Sequence, residues 1–131
     1  MPAYDDQFFS PPAPAARVTL CNPASGQSLS DILMLIDYGA DATLLPQPAI
    51  TQLGIQPDYE RQYELEAFDG TSSVVHSVSA DLICLRKTFK GQFMLVNQPA
   101  QTWGFLGRDV LNNLRLLLNG PQLYWEEFRL K

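Results

Sequence analysis

Short runs of apolar residues, some alternating with polar ones and some continuous, recur along the chain and predict β-strands rather than long helices. Val18 to Cys21 predicts a first strand, and the turn-forming residues Asn22 to Gly26 follow it. Ile32 to Ile36 is continuously apolar, which predicts a strand buried on both faces. Phe89 to Val96 predicts a further strand late in the chain. The pattern therefore favours a protein built on a sheet.

A β-hairpin is predicted in the middle of the chain. Tyr63 to Phe68 alternates polar and apolar residues, and Asp69-Gly70 follows at once. Asp-Gly between two such runs is a strong hairpin signal, because both central positions of the tight turn need positive φ. We expect the return arm over Ser72 to Val78, continuing into Ala80 to Leu85.

Helical patterns are short and lie outside these strands. Pro48 to Leu53 predicts one or two helical turns closed by Gly54, and Val110 to Leu114 has helical spacing. Leu116 to Leu118 and Leu123 to Trp125, joined by a turn, predict a closing hairpin. Many short strands with so little helix indicate an all-β domain folded as a small closed or nearly closed β-barrel.

The N-terminal segment has a different composition. Residues 1–16 hold four of the ten prolines, and proline cannot donate to a ladder of backbone hydrogen bonds. We therefore expect a flexible, proline-rich tail over 1–16 and one compact domain over 17–131. A chain of 131 residues is long enough for a single domain of this kind.

Composition narrows the classes of function and the compartment. The 9 basic and 14 acidic residues give a net charge of -5, which argues against nucleic-acid binding because phosphate neutralisation needs a basic face. No apolar stretch approaches the length of a membrane span, so we expect no membrane partner. Cys21 and Cys84 lie in apolar segments, as buried thiols of a reducing compartment do. We expect a soluble, cytoplasmic domain.

The candidate chemistry lies in the five residues Asp37-Tyr38-Gly39-Ala40-Asp41, which directly follow the apolar run Ile32 to Ile36. A buried strand that ends on an acid and then a glycine delivers a carboxylate to a tight turn at the edge of a core. From these residues alone, Asp37 is either a structural turn residue or a catalytic acid. The single histidine, His76, has no partner at metal-ligand spacing and is expected to be a packed or surface residue.

The combination of three motifs resembles the retropepsin-like aspartic proteases, a family that includes retroviral proteases and single-domain bacterial relatives. The motifs are Leu-Ile-Asp-x-Gly-Ala-Asp-x-Thr-Leu-Leu-Pro, the central hairpin, and the late Phe-Leu-Gly-Arg-Asp-Val-Leu segment. The resemblance covers roughly Arg17 to Phe128. It implies a small closed barrel with a flap hairpin and one short C-terminal helix. It also implies an aspartic endopeptidase that acts on polypeptides as a homodimer, without metal or other cofactor.

The resemblance also assigns roles to single residues. Asp37 would be catalytic, in a loop with Tyr38, Gly39 and Ala40, and two copies of Asp37 would share a proton across the two-fold axis. Asp41 and Arg108 would form a structural ion pair. The flap, which closes over the substrate, would comprise the residues Ala67, Phe68, Asp69, Gly70 and Thr71.

Tyr38 departs from the family's pattern, in which Thr or Ser stands between the catalytic Asp and the Gly. A tyrosine is far larger than Thr or Ser, and overpacking a tight buried site typically destabilises a protein by ~1–3 kcal/mol. In a dimer this strain would occur twice, once for each copy of Tyr38. Three outcomes are open. A remodelled dimer accommodates the two tyrosines, or the tyrosines weaken the dimer and leave Asp37 unpaired, or they reshape the substrate site. Two hypotheses follow: an active endopeptidase, and a catalytically impaired protease-like module for peptide binding or dimerisation.

Overall fold

The structure, a computed structural model, describes residues 2–67 and 69–129. Within that part of the chain it forms strands β1 (Tyr4–Asp5), β2 (Ala13–Cys21), β3 (Ser28–Ile36), β4 (Leu44–Leu45), β5 (Asp58–Glu66), β6 (Ser72–Cys84), β7 (Lys87–Leu95), β8 (Gly104–Leu106), β9 (Leu116–Asn119) and β10 (Tyr124–Glu127), and helices α1 (Gln47–Gln52) and α2 (Arg108–Leu111). In the same residues no helix is long and apolar enough to cross a membrane.

The main sheet closes on itself. Its strands follow the order β1-β2-β3-β8-β4-β7-β6-β5, and an additional pairing joins β2 to β6. This pairing turns the six strands from β2 through β6 into a ring, while β1 and β5 continue the sheet on either side. The predicted all-β, barrel-like fold is confirmed, and closure removes most of the unpaired edges that an open sheet would leave.

The barrel interior is filled by the inward-facing side chains of its strands. Leu20, Met34 and Leu82 are fully buried, and Leu106 is nearly so. The predicted continuous burial of β3 is observed for Ile32, Leu33, Met34 and Ile36, whereas Leu35 is half-buried. Trp125 closes one side of the core, where its indole N–H donates to the Ala15 carbonyl at 3.0 Å. The core therefore holds β3 rigidly up to the residue before Asp37.

Both helices occur near their predicted positions, but α2 begins earlier and is shorter than the spacing indicates. It spans Arg108–Leu111 rather than Val110 to Leu114. Gly107 is extended, with φ -92° and ψ 180°, and its carbonyl accepts the Leu111 N–H at 2.9 Å. Helical geometry therefore begins immediately after this glycine, which brings Arg108 into the first turn.

The N-terminal segment contains sheet structure, so the prediction of a tail without a hydrogen-bond ladder is wrong for part of residues 1–16. Tyr4 lies opposite Pro14, and Ala15 and Ala16 pair with β3 and are buried. In an antiparallel sheet, only every second residue of a strand donates its N–H to a given neighbouring strand. A single proline therefore removes at most one donor, and the alanines that follow it keep the pairing.

The C-terminal hairpin is confirmed and forms a small sheet of its own. β9 pairs with β10, with Trp125 opposite Leu118. An isolated bridge joins Ala3 to Tyr124, and the Tyr4 N–H donates to the Leu123 carbonyl at 2.8 Å. The N-terminal residues therefore cover the outer edge of β10 within one chain.

Candidate active site

Asp37 directly follows β3 and lines a cleft. β3 runs parallel to β8, with Ile36 opposite Leu106. The Asp37 N–H continues this ladder by donating to the Leu106 carbonyl at 3.1 Å. The backbone of Asp37 is thus held by the sheet, while its half-buried side chain extends from the strand end.

The loop after Asp37 turns around its carboxylate. Asp37 Oδ1 accepts the Gly39 N–H at 2.9 Å, and the Asp37 carbonyl accepts the Ala40 N–H at 3.1 Å. A Cβ on Gly39 would lie 3.1 Å from Asp37 Oδ1, closer than most side-chain contacts allow. Gly39 does not have positive φ. The site therefore uses this glycine for its small size beside the carboxylate, and not for a left-handed backbone.

Arg108 holds the loop in a different way from the one predicted. Its guanidinium donates to the Tyr38 carbonyl at 2.6 Å, and its backbone N–H donates to the Ala40 carbonyl at 2.9 Å. The predicted ion pair with Asp41 is not formed: the single ion pair in residues 2–67 and 69–129 joins Arg129 to Glu127. Both Asp41 and Arg108 are exposed, so water competes for their charges, and the fixed carbonyl is the partner that the guanidinium retains.

A polar cluster around the buried Thr43, which the sequence did not indicate, also contacts this part of the chain. Thr43 is fully buried, and its hydroxyl donates to Asp109 Oδ1 at 2.6 Å. The same hydroxyl oxygen accepts the Gly107 N–H at 3.0 Å. Thr43 and Asp109 each lie in one of the motifs that carry the resemblance, the Thr of Asp-x-Gly-Ala-Asp-x-Thr and the Asp of Gly-Arg-Asp-Val-Leu. Neither motif indicated that these two residues meet.

The cleft beside Asp37 has a volume of about 640 Å³. It lies between residues 37–41, which we call the candidate active-site loop, and the β5–β6 hairpin. Asp37 and Gly39 line one wall, Leu65 and Ala67 line the hairpin side, and Phe105 of β8 contributes an aromatic surface. Ala40 and Asp41 also line it. Asp37 therefore borders an open space that its loop and the hairpin share.

The hairpin that the sequence predicts as a flap lines this cleft, but its turn differs from the predicted two-residue type. The Gly70 N–H donates to the Ala67 carbonyl, and the Ala67 N–H donates to the Thr71 carbonyl. Gly70 has φ 86°, whereas Asp69 does not have positive φ. This is the geometry of a longer hairpin loop that ends on a glycine bulge. Phe68, also predicted for the flap, lies outside the described residues.

The tip of this hairpin is fixed by the side chain of Asp69. Asp69 Oδ1 accepts hydrogen bonds from the Thr71 hydroxyl at 2.7 Å and from the Thr71 N–H at 3.0 Å. Both bonds lower the pKa of Asp69 below its ordinary value, and the bond from the Thr71 hydroxyl has the larger effect. The exposed tip residues Asp69, Gly70 and Thr71 do not line the cleft, which the hairpin reaches through Leu65, Glu66, Ala67 and Ser73.

The Tyr38 side chain does not contribute to the cleft. This side chain is 42% exposed, and Tyr38 is missing from the cleft lining although both of its neighbours contribute to it. Within one chain the phenol therefore overpacks nothing. The strain that the sequence predicts would arise only where a second molecule approaches this face. His76, as expected, has a packing role: its ring lies edge-on to Tyr59, with centroids 5.0 Å apart.

Comparisons with known proteins identify the fold. No protein-family model and no curated protein matches the chain. It is similar to the EIAV protease complexed with the inhibitor HBY-793, with 18% identity, a TM-score of 0.55, and coverage of 83% of this chain and 91% of that one. The solution structure of the simian foamy virus (mac) protease matches with 10% identity, 75% and 91% coverage, and a TM-score of 0.49. A Legionella pneumophila protein of unknown function matches with 16% identity, 76% and 87% coverage, and a TM-score of 0.40. The chain therefore has a retropepsin-like fold.

Proposed function

We propose that this protein is an aspartic endopeptidase that hydrolyses peptide bonds as a homodimer. The observation that carries the proposal is the position of Asp37, whose backbone is held by the sheet and which lines a cleft together with the β5–β6 hairpin. The retropepsin-like fold supports the same reading. No metal or other cofactor has a role in this proposal.

The chemistry needs two carboxylates, and each chain supplies one. In the dimer, two copies of Asp37 about 3 Å apart could not both ionise, so they would share one proton. The ionised copy takes a proton from a bound water, which attacks the scissile carbonyl carbon. The protonated copy donates its proton to the carbonyl oxygen. The resulting apparent pKa values belong to the pair and not to either residue.

The substrate in this proposal is an unstructured polypeptide in extended form. It would lie between the active-site loop and the β5–β6 hairpin and form backbone hydrogen bonds as an added strand, with pockets for alternate side chains. Leu44, Leu65 and Phe105 make part of the cleft wall apolar. Large apolar side chains next to the cleaved bond would fit this wall best.

A second candidate function is a catalytically impaired module that binds peptides or dimerises without cleaving. The observation that favours it is Tyr38, whose phenol stands exposed directly beside Asp37. A second copy that approaches along this face would bring its own Tyr38, so that two phenols would lie at the contact. If they separate the protomers, each Asp37 is left without the partner that its chemistry needs.

Cleavage of a denatured protein tests the first proposal. The full chain is incubated with reduced, carboxymethylated casein from acid to neutral pH, and new N-termini are counted by mass spectrometry. We expect acid-favoured cleavage that Asp37→Asn abolishes. Asp31→Asn is the matched control: Asp31 is exposed on the same strand with φ 61°, a conformation that asparagine tolerates well. Cleavage that survives Asp37→Asn would refute the proposal.

Tyr38→Thr separates the two candidate functions. If the natural protein is inactive but binds peptides, and Tyr38→Thr cleaves casein, the tyrosine alone accounts for the difference. Peptide binding is measured separately, by fluorescence anisotropy of a labelled apolar peptide in the Asp37→Asn background. A protein that neither binds nor cleaves, in either form, would contradict both functions.

A further inference from the structure

Positive charge is concentrated at one surface pocket of this acidic protein. The pocket has a volume of about 460 Å³, and four of the nine basic residues of the chain line it. We call these four residues the basic patch: Arg86, Lys87, Arg115 and Arg129. Together with Glu127, which also lines the pocket, they carry a net charge of +3, so the rest of the chain carries -8. The patch is therefore a local exception to the charge of the molecule.

The basic patch is assembled from three segments that hydrogen bonds join. Lys87 follows the β6–β7 turn, and its Nζ donates to the Asn113 carbonyl at 3.1 Å, which joins this turn to the segment before β9. The Phe128 N–H donates to the Arg115 carbonyl at 2.7 Å, which joins that segment to the residues after β10. The four cations are thus brought together by tertiary contacts, although they are spread over more than forty positions of the chain.

The side chains of the patch are open to a ligand. All four basic side chains are exposed. Arg129 Nε donates to the Glu127 carboxylate at 2.9 Å, whereas the guanidinium groups of Arg86 and Arg115 have no hydrogen-bond or ion-pair partner within residues 2–67 and 69–129. Glu127 shows that the pocket accommodates a carboxylate against a guanidinium. Phe128, 49% exposed, adds an apolar surface to the same pocket.

We infer that the basic patch binds a short acidic peptide segment of a partner protein, in which several carboxylates flank an apolar side chain. Arginine suits this ligand because its planar fork binds a carboxylate through two parallel hydrogen bonds. One exposed ion pair contributes only about 0–1 kcal/mol, so a ligand gains useful affinity when several charges are carried on one chain. The apolar side chain of the segment would lie against Phe128.

A long polyanion fits this surface less well than a short acidic segment. Nucleic acid continues its charge along the whole strand, so it would extend from a patch of +3 over a surface that carries -8 and would be repelled there. An acidic peptide segment can end where the patch ends. The extent of the positive charge therefore favours the peptide.

The cleft beside Asp37 does not compete for such a segment. Asp37, Asp41 and Glu66 line the cleft, and no lysine or arginine is among the described residues that do so. Carboxylates of a ligand are therefore repelled from the cleft and attracted to the patch. The inference holds whether or not Asp37 hydrolyses peptide bonds.

Fluorescence anisotropy with a defined peptide tests the inference. The full chain carries Asp37→Asn, so that cleavage cannot remove the probe, which is rhodamine-labelled Glu-Glu-Phe-Glu-Glu with an amidated C-terminus. We expect binding that weakens as the salt concentration rises from about 0.05 M to about 0.5 M. The matched peptide Gln-Gln-Phe-Gln-Gln should not bind. Equal binding of the two peptides, or no binding of the acidic one, would overturn the inference.

Paired substitutions locate the binding site. Arg86→Gln combined with Arg115→Gln should raise the Kd of the acidic peptide about fivefold to tenfold, because two exposed ion pairs are lost. The control combines Arg61→Gln with Lys90→Gln, which lowers the net charge equally at exposed positions that do not line the pocket. It should change Kd less than about twofold at moderate salt. Urea denaturation shows that both proteins are folded, and an equal effect of the two pairs would mean that net charge and not the patch determines binding.

Cross-linking and competition provide two further measurements. A carbodiimide joins a carboxylate to an amine, so the acidic peptide should become attached to Lys87, as peptide mapping by mass spectrometry shows. Attachment to Lys90 alone would overturn the inference. Unlabelled acidic peptide should displace the probe at a lower concentration than tripolyphosphate or an oligothymidylate of equal charge. If either of these displaces the probe more effectively, the patch is a phosphate or nucleic-acid site and the assignment to an acidic peptide is wrong.

Discussion

Thr43 and Asp109 are joined by two hydrogen bonds although 66 residues separate them in the chain. The Thr43 hydroxyl donates to Asp109 Oδ1 at 2.6 Å, and the Thr43 N–H donates to Asp109 Oδ2 at 3.1 Å. Together with the Arg108 contact to Tyr38, these bonds tie both ends of the active-site loop to the start of α2. The position of Asp37 beside the cleft therefore depends on α2 as well as on β3.

Removing the Thr43 hydroxyl should destabilise the fold. Thr43→Val keeps the shape of the side chain but leaves Asp109 Oδ1 without this donor and the Gly107 N–H without its acceptor. We expect a loss of about 1–3 kcal/mol in the free energy of unfolding, measured by urea denaturation. Thr88→Val, at an exposed position of β7, is the control and should stay within about 0.5 kcal/mol of the natural protein. Equal stability of the two variants would contradict a structural role for the Thr43 hydroxyl.

Gly107 should not tolerate a side chain. A Cβ at this position would lie 2.5 Å from the carbonyl carbon and oxygen of Ala42, which are backbone atoms that cannot rotate away. We expect Gly107→Ala to cost about 3 kcal/mol or more, since overpacking against fixed atoms forces the backbone to move. Gly120→Ala is the control, because no atom lies within 4 Å of its Cβ position and its φ is not positive. Thermal unfolding compares the two, and a similar midpoint for both would count against the close approach.

The turn between β6 and β7 should become more stable when Arg86 is replaced by glycine. Leu85 and Arg86 have φ 51° and 67°, the left-handed region that costs an ordinary residue about 1–2 kcal/mol. Arg86→Gly removes this strain, and the greater entropy of the unfolded chain offsets part of the gain. We expect a net stabilisation of about 0.5–1 kcal/mol in urea. Thr88→Gly, two residues on in β7, should instead destabilise, and a destabilised Arg86→Gly would refute the prediction.

Stability should fall at alkaline pH because of Cys84. Burial, and to a smaller extent the charge of Glu127, raises the pKa of the Cys84 thiol from 9.0 to about 11. Between these values the unfolded chain loses the thiol proton while the folded chain keeps it. The contribution is therefore complete below pH 9 and is lost as the pH rises to about 11.

The raised pKa of Cys84 corresponds to a loss of about 3 kcal/mol in the free energy of unfolding between pH 9 and about 11. Cys84→Ala removes it, so the measurement is the difference in pH dependence between the natural protein and the variant, in which all other titrating groups cancel. The variant should unfold more easily at neutral pH, because it leaves a cavity, and should lose less stability between pH 9 and 11. Parallel stability curves for the two proteins across that range would contradict a buried thiol.

Much of the sheet could be predicted because the signal is local. The continuous apolar run Ile32 to Ile36 became the buried end of β3, and the alternation around Asp69-Gly70 became the β5–β6 hairpin. The turn at Leu85 and Arg86 gave no signal, since neither residue favours positive φ. There the pairing of β6 with β7 sets the backbone conformation, and the local preference yields to it.

In the candidate site, too, some features could be located from the local sequence and others could not. Asp37 and Gly39 could be located from the sequence, because a buried strand that ends in Asp-x-Gly carries its own turn geometry. The partner of Arg108 could not be predicted from the sequence. The exposed charges of Asp41 and Arg108 need not meet when the carbonyl of Tyr38 is available to the guanidinium. The sequence also did not indicate that Tyr38 stays out of the cleft lining, since the position of a loop side chain depends on the contacts on either side of it.

By itself the amino-acid sequence determined which segments are strands and where the carboxylate lies, because hydrophobic period and turn residues act over a few positions. Only the tertiary structure decided that β2 meets β6 to close the barrel and that Thr43 meets Asp109. It also decided that the N-terminal segment pairs with β10 and leaves the edge of β9 free. These contacts join residues far apart in the chain, so they depend on how the whole core packs and not on any local pattern.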